Sequence, residues 1–179
     1  MKKSVVFLAF MILAISTAFV IFIFFINSQT ISYSTIISAF ILLALILILF
    51  FDIKYLIIPD KVLILLAIGA IISKFFINSD NFTQLLISAF GLTLFFAILF
   101  LVSRGKWIGF GDIKLIFIIG FLLGYPIGYL AIITAVWLAS IFSIFLLATK
   151  KANAKTEIPF GSFLSIATII FIIFNGKLQ

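Results

Sequence analysis

Two aspartates, Asp52 and Asp112, lie at the borders of long apolar segments, where an ionisable side chain needs a specific explanation. Asp52 ends one apolar run, and Asp112 closes a Gly-Phe-Gly-Asp sequence that opens another. Two carboxylates brought close together share a proton, because both cannot ionise easily at short range. The ionised group can then activate water while the protonated group polarises a carbonyl. Such a pair would hydrolyse a peptide bond without serine, cysteine, histidine or a metal.

Each of these aspartates also has a structural explanation. An ordinary interfacial carboxylate paired with Lys54 would explain Asp52, and an N-terminal helix cap would explain Asp112. A cap does not require the two preceding glycines, Gly109 and Gly111, which permit close backbone approach or a positive φ. We therefore expect these glycines to shape a loop against which an extended substrate segment lies.

The remaining acidic residues have simpler structural explanations. Pro59 keeps the chain before it extended, and Asp60 is then predicted to cap the next helix. Asp80 lies in a polar Asn-Ser-Asp-Asn loop, and Glu157 is expected to be a solvated residue at a helix entrance.

The composition excludes several other kinds of chemistry. The 179 residues include no cysteine and no histidine, which excludes a thiolate zinc site, an iron–sulfur cluster, a cysteine nucleophile and a histidine base. We predict no metal and no cofactor. The net charge of +7 comes from basic residues in short clusters between apolar runs, so we also predict no nucleic-acid partner.

The elements that must position the aspartates are membrane helices, because 66% of the residues are hydrophobic and only 9% are charged. The predicted fold is all-α, a polytopic membrane helix bundle with about seven transmembrane helices. The apolar segments are residues 5–26, 31–51, 62–77, 82–102, 113–123, 127–148 and 158–174. The fifth is short, but residues 113–148 are too long for one crossing, and Gly124 and Pro126 predict a turn between the two segments.

Basic residues predict the orientation of the bundle. With seven spans, ten of the 12 lysines and arginines fall on one side, which by the positive-inside tendency is the cytoplasm. The N-terminus is then cytoplasmic, and Asp52 and Asp112 lie at the cytoplasmic face. Residues 5–26 imitate a signal peptide but are long for one, so we interpret them as a retained span.

Four motifs resemble those of the type IV prepilin peptidase family, membrane aspartic proteases of the GxGD type. They are DIK at 52–54, IPD at 58–60, GFGDIKL at 109–115 and IPFG at 158–161. The resemblance covers roughly residues 42–170 and implies that Asp52 and Asp112 are the catalytic pair. It further implies an endopeptidase of the cytoplasmic (inner) membrane, cleaving the short basic leader from the helix of a prepilin or pseudopilin at the cytoplasmic face.

This sequence departs from the family in two respects. Larger members carry a cytoplasmic methyltransferase domain, often with paired CxxC motifs, whereas this chain has no cysteine and only residues 27–30 separate its first two spans. We therefore expect a short form without N-methylation, with residues 1–30 as an additional N-terminal helix and 31–179 as the catalytic membrane domain. The second departure is Ser162, where family members commonly have proline.

Three other functions stay open at the level of sequence. A protease of the same chemistry could act on other signal-like membrane helices. A small proton-coupled transporter could use the two aspartates as proton carriers, although transport sites usually lie near the bilayer midplane and often in inverted repeats. An assembly subunit could carry them as structural carboxylates.

Overall fold

All of the regular secondary structure in the described part of the chain is α-helical. The structure, a computed structural model, describes residues 33–76, 82–149 and 156–175. Within these ranges the helices are α1 (Tyr33–Tyr55), α2 (Asp60–Phe76), α3 (Phe82–Ser103), α4 (Phe110–Leu123), α5 (Ile127–Ala148) and α6 (Phe160–Asn175). Helices are the expected result for such apolar segments, since a backbone in lipid must satisfy its hydrogen bonds internally.

Helix α4 occupies the centre of the bundle. It packs against α2, α3, α5 and α6, and most of its residues are buried, among them Leu115, Ile119 and Leu122. Its 14 residues make it about 21 Å long, shorter than a typical hydrocarbon core. Because neighbouring helices enclose it, a short helix that is apolar on every side is stable here.

Helix α1 packs against α2 and α6, which brings its C-terminal end beside the N-terminal end of α6. Helices α3 and α4 form another close pair, as do α5 and α6. Gly120 of α4 lies so close to α3 that an added Cβ would be 2.9 Å from the backbone Cα of Ala89. This small residue lets the two helices approach closely.

The predicted turn between the fourth and fifth described helices is confirmed. Helix α4 ends at Leu123, and α5 begins at Ile127. Gly124 adopts φ +65°, a conformation that glycine tolerates best, and its N–H donates to the carbonyl of Gly120 at 3.0 Å.

Three of the helices, α1, α3 and α5, are long and apolar enough to cross a membrane, and α6 is a shorter apolar helix. The predicted first span, residues 5–26, lies outside the described residues, so the count of seven stays a prediction. Most helix boundaries lie within about three residues of expectation, and two of the differences concern the aspartates. Helix α1 continues through Asp52 to Tyr55, and α4 begins at Phe110, so both aspartates lie within helices.

Candidate active site

Asp52 and Asp112 meet at Gly161, in the first turn of α6. A Cβ built on Gly161 would lie 3.2 Å from Asp52 Cγ and 3.2 Å from Asp112 Oδ1. The two atoms are therefore no more than twice that distance, 6.4 Å, apart. The structure thus brings together the two residues that the sequence singles out, within reach of one water molecule or one peptide group.

Asp52 is held by Ser162 across the interface between α1 and α6. The backbone N–H of Ser162 donates to Asp52 Oδ2 at 2.6 Å, and the Ser162 hydroxyl lies 2.8 Å from the same oxygen. Asp52 is buried. Lys54 instead lies over the rings of Phe50 and Tyr55, so the structure gives no support to an interfacial Asp52–Lys54 pair.

Asp112 is the third residue of α4, with Gly109 at the N-cap position. The N–H of Gly109 donates to Asp112 Oδ2 at 3.2 Å, and the N–H of Asp112 donates to the carbonyl of Gly109 at 3.2 Å. This reciprocal arrangement fixes the first turn of the helix. Among the described residues, Asp112 Oδ1 is buried with no hydrogen-bond partner, and it is the oxygen that lies beside Gly161. One oxygen caps the helix while the other is available for chemistry.

Gly111 packs inward, against Ile58. A Cβ on Gly111 would lie 3.2 Å from Ile58 Cβ, and a Cβ on Gly161 would lie 2.7 Å from Ile58 Cδ1. Gly109 has an extended backbone, with φ −74° and ψ 148°, so its conformation does not require glycine. Position 111 requires a small residue because it packs closely against Ile58, beside the aspartates. A contact of either glycine with substrate stays a prediction.

Asp60 joins the N-terminal end of α2 to α4. Its Oδ1 accepts a hydrogen bond from Lys114 Nζ at 2.7 Å, and both side chains are exposed. Pro59 immediately precedes α2, and its carbonyl accepts the N–H groups of Val62 and Leu63. Asp60 is therefore the first residue of the helix, and the structure shows its carboxylate in an ion pair.

The two aspartates line a cleft with a volume of about 770 Å³. Its other walls come from residues 105–109, the middle of α5 and the segment that precedes α6, including Trp107, Ser140 and Glu157. A smaller apolar cavity of about 340 Å³ lies between α3 and α5. Phe96 and Val136 line both cavities, so the aspartate cleft continues between these two helices.

Within residues 33–76, 82–149 and 156–175, no group of three or more acidic, histidine or cysteine residues is placed so that it could bind a metal ion. The structure brings together in the cleft the carboxylate pair and the groups around it. Sequence reasoning missed two of those groups, Gly161 as the contact point and Ser162 as the donor to Asp52. The IPFG motif indicated that this segment matters, but it did not indicate that Gly161 and Ser162 would contact the aspartates.

Comparisons with known proteins agree with the motifs. The sequence model described as the type IV leader peptidase family matches residues 39–148. A prepilin leader peptidase/N-methyltransferase from Pseudomonas aeruginosa is 30% identical over 131 residues, which are 71% of this chain and 45% of that protein. One of the same description from Stutzerimonas stutzeri is 27% identical over the same coverage. The chain thus spans less than half the length of these relatives. No solved structure gives a significant match.

Proposed function

Because the chain belongs to the type IV leader peptidase family, we propose that it is an aspartic endopeptidase that removes the short basic leader from type IV prepilins or pseudopilins. The observation that carries the proposal is the convergence of Asp52 and Asp112 on Gly161 inside an open cleft. Both relatives are described as prepilin leader peptidase/N-methyltransferases, which supports the same substrate class.

In the proposed reaction, Asp52 and Asp112 share one proton and hold a water molecule between them. The ionised carboxylate takes a proton from that water while the oxygen of the water attacks the carbon of the scissile carbonyl. The protonated carboxylate donates to the carbonyl oxygen, which forms a tetrahedral intermediate. The carboxyl group that took the proton of the water then passes it to the leaving nitrogen, and the C–N bond breaks. The other carboxylate takes back a proton from a hydroxyl of the intermediate as the new carboxyl product forms, so the pair returns to its starting state without a covalent intermediate.

We propose that the apolar helix of the substrate lies along the smaller apolar cavity, between α3 and α5, with the leader in the aspartate cleft. The smaller cavity suits this use because it is apolar and lies between two candidate membrane spans. It also opens into the aspartate cleft at Phe96 and Val136. A substrate helix arriving from the bilayer would then present its leader junction directly to Asp52 and Asp112.

We place the site at the cytoplasmic face of the inner membrane. Lys54 and Lys114 lie near the helix ends that carry the two aspartates, and Lys61 lies at the start of α2. Arg104 and Lys106 lie in the connection before α4. Clusters of basic residues favour the cytoplasmic side. We further propose cleavage without N-methylation by this chain, since none of its 179 residues is a cysteine that could form the CxxC pairs of the larger family members.

The test is to incubate the purified chain with a prepilin in detergent and to measure the product by mass spectrometry. We expect loss of the leader with no added methyl mass when S-adenosylmethionine is present. Asp52→Asn and Asp112→Asn should each abolish cleavage, because a neutral amide cannot exchange the shared proton.

The matched control is Asp60→Asn, which removes a carboxylate at the same end of the bundle that does not line the cleft. We expect this variant to cleave at a rate within about threefold of the unsubstituted protein, since exposed ion pairs contribute little. Full processing by Asp52→Asn or by Asp112→Asn would refute the catalytic pair. Cleavage of other signal-like helices but not of prepilins would retain the chemistry and change the substrate.

A further inference from the structure

Glu157 is the third acidic residue that lines the aspartate cleft, and the proposed reaction does not use it. It lies exposed in the segment before α6, and it lines the cleft together with Lys106 and Trp107. None of these three residues lines the smaller apolar cavity. Within the part of the chain that the structure describes, Glu157 belongs to no ion pair. Its carboxylate is therefore accessible to a molecule that enters the cleft.

The lining of the cleft differs in charge from the rest of the protein. The chain has 12 basic and five acidic residues, and Lys54, Arg104 and Lys114 lie near helix ends close to the aspartates. Of the described basic residues, only Lys106 lines the cleft, together with three carboxyl groups. Even with one proton shared by the catalytic pair, the acidic charges of the lining outnumber the basic one. Such a lining favours a cationic segment at contact distance.

The length of the intervening chain places Glu157 close to the site of cleavage. Glu157 is four residues before Gly161, where the two aspartates meet, so their Cα atoms are at most about 14 Å apart. An extended substrate covers that distance with about four residues. Because the apolar helix of the substrate is proposed to lie along the smaller cavity, the segment that passes Glu157 is the leader.

We infer that Glu157 is a specificity residue that pairs with a basic side chain of the leader, within about four residues of the scissile bond. The inference rests on the proposed peptidase function and names the group of this chain that recognises the charge of the leader. Asp52 and Asp112 act on a peptide group, which every protein substrate has, whereas the Glu157 carboxylate distinguishes between side chains. An ion pair in an open cleft is exposed to water, so it contributes more to specificity than to affinity.

The experiment compares Glu157→Gln with the unsubstituted protein in a non-ionic detergent, on two prepilins that differ only in the leader. One prepilin has the basic leader, and the other has glutamine in place of each lysine and arginine of the leader. We expect Glu157→Gln to raise KM for the basic leader about fivefold at low salt, with kcat changed less than twofold. For the glutamine leader, KM should not change. The effect on the basic leader should shrink in high salt, which screens an exposed ion pair.

A charge reversal and a matched control separate recognition from folding. Glu157→Lys should lower kcat/KM for the basic leader further, and it should raise kcat/KM for a leader with glutamate in place of the basic residues. A variant that is merely misfolded would not gain activity on any substrate. The control is Asp60→Asn, which removes an exposed carboxylate that does not line the cleft. We expect its KM for both leaders to stay within about twofold.

An equal change in KM for the two leaders in Glu157→Gln, or no change for either, would overturn the inference. A preference for the basic leader that survives Glu157→Gln and requires anionic lipid would also overturn it, because the membrane surface would then recognise the leader. In each case the peptidase stands if the unsubstituted protein cleaves the prepilin and Asp52→Asn does not. If the unsubstituted protein cleaves neither prepilin, the proposed function fails and the inference fails with it.

Discussion

Replacing Gly161 with alanine places one methyl group against both aspartates, and we predict that it slows cleavage far more than it destabilises the fold. The new Cβ would lie 3.2 Å from Asp52 Cγ, 3.2 Å from Asp112 Oδ1 and 2.7 Å from Ile58 Cδ1. Nonbonded heavy atoms pack at about 3.5–4.0 Å, so each carboxylate must retreat by roughly 0.3–0.8 Å. The Ile58 side chain must also move or change rotamer.

These displacements set the expected magnitudes. A misplacement of about 1 Å at a reacting group can cost roughly 100-fold in rate, so we predict that Gly161→Ala lowers kcat about 10-fold to 100-fold. Crowding of a packed site costs about 1–3 kcal/mol, and alanine in place of glycine within a helix returns up to about 1 kcal/mol. The free energy of unfolding should therefore fall by only about 0–3 kcal/mol.

The assay compares prepilin cleavage and thermal unfolding for Gly161→Ala and a matched variant, Gly69→Ala. Gly69 lies in α2, and a Cβ there would be 3.1 Å from Ile41 Cγ1 and 3.1 Å from Phe40 Cδ1, with no carboxylate among its nearest atoms. We expect a similar change in melting temperature and an unchanged kcat.

A second variant separates the two contacts of the new methyl group. Adding Ile58→Ala to Gly161→Ala removes the tightest contact, 2.7 Å, and leaves the contacts with Asp52 and Asp112. We predict that the double variant remains slow, because the carboxylates are still displaced. Recovery of kcat in the double variant, or a Gly161→Ala enzyme within threefold of normal, would refute the reasoning.

Three further predictions concern the helices around the site. Gly120→Val should lower the melting temperature, with a loss of about 1–3 kcal/mol in unfolding free energy, because its Cβ would lie 2.9 Å from the α3 backbone at Ala89. Lys114→Met should cost less than about 1 kcal/mol, measured by thermal unfolding at low salt and shrinking in high salt, since its partner Asp60 is exposed. Val136→Trp should raise KM for a full prepilin several-fold, because it narrows the place where the two cavities join. The rate of cleavage of a short peptide that carries only the leader junction should not change.

The parts of the fold that follow from local pattern were predictable from the sequence. Apolar segments gave the helices that the structure describes, and Gly124 with Pro126 gave the turn after α4. The pairing of Asp52 with Asp112 was also predictable, because alternating helices place the end of one and the start of the other at the same side of the bundle. The sequence contains only five acidic residues and no histidine, so few other residues could form such a site.

The contacts that hold the aspartates were not predictable in this way. Ser162 and Asp52 are 110 residues apart, and Lys114 and Asp60 are 54 apart, so neither pair leaves a local signal. Helix packing decides which side of α6 faces α1, and that depends on side chains from several helices at once. The sequence predicted Asp60 as a helix cap, whereas in the structure its carboxylate binds Lys114 of α4.

The most direct test of the central claim is a double-mutant comparison of Asp52→Asn, Asp112→Asn and the combined variant, using kcat/KM for prepilin cleavage. Two carboxylates that share one proton act as a unit, so removing either should cost nearly as much as removing both. We predict a loss of about 1,000-fold or more in each single variant and no further loss in the double variant. Substantial cleavage by either single variant, or losses that multiply in the double variant, would contradict the account.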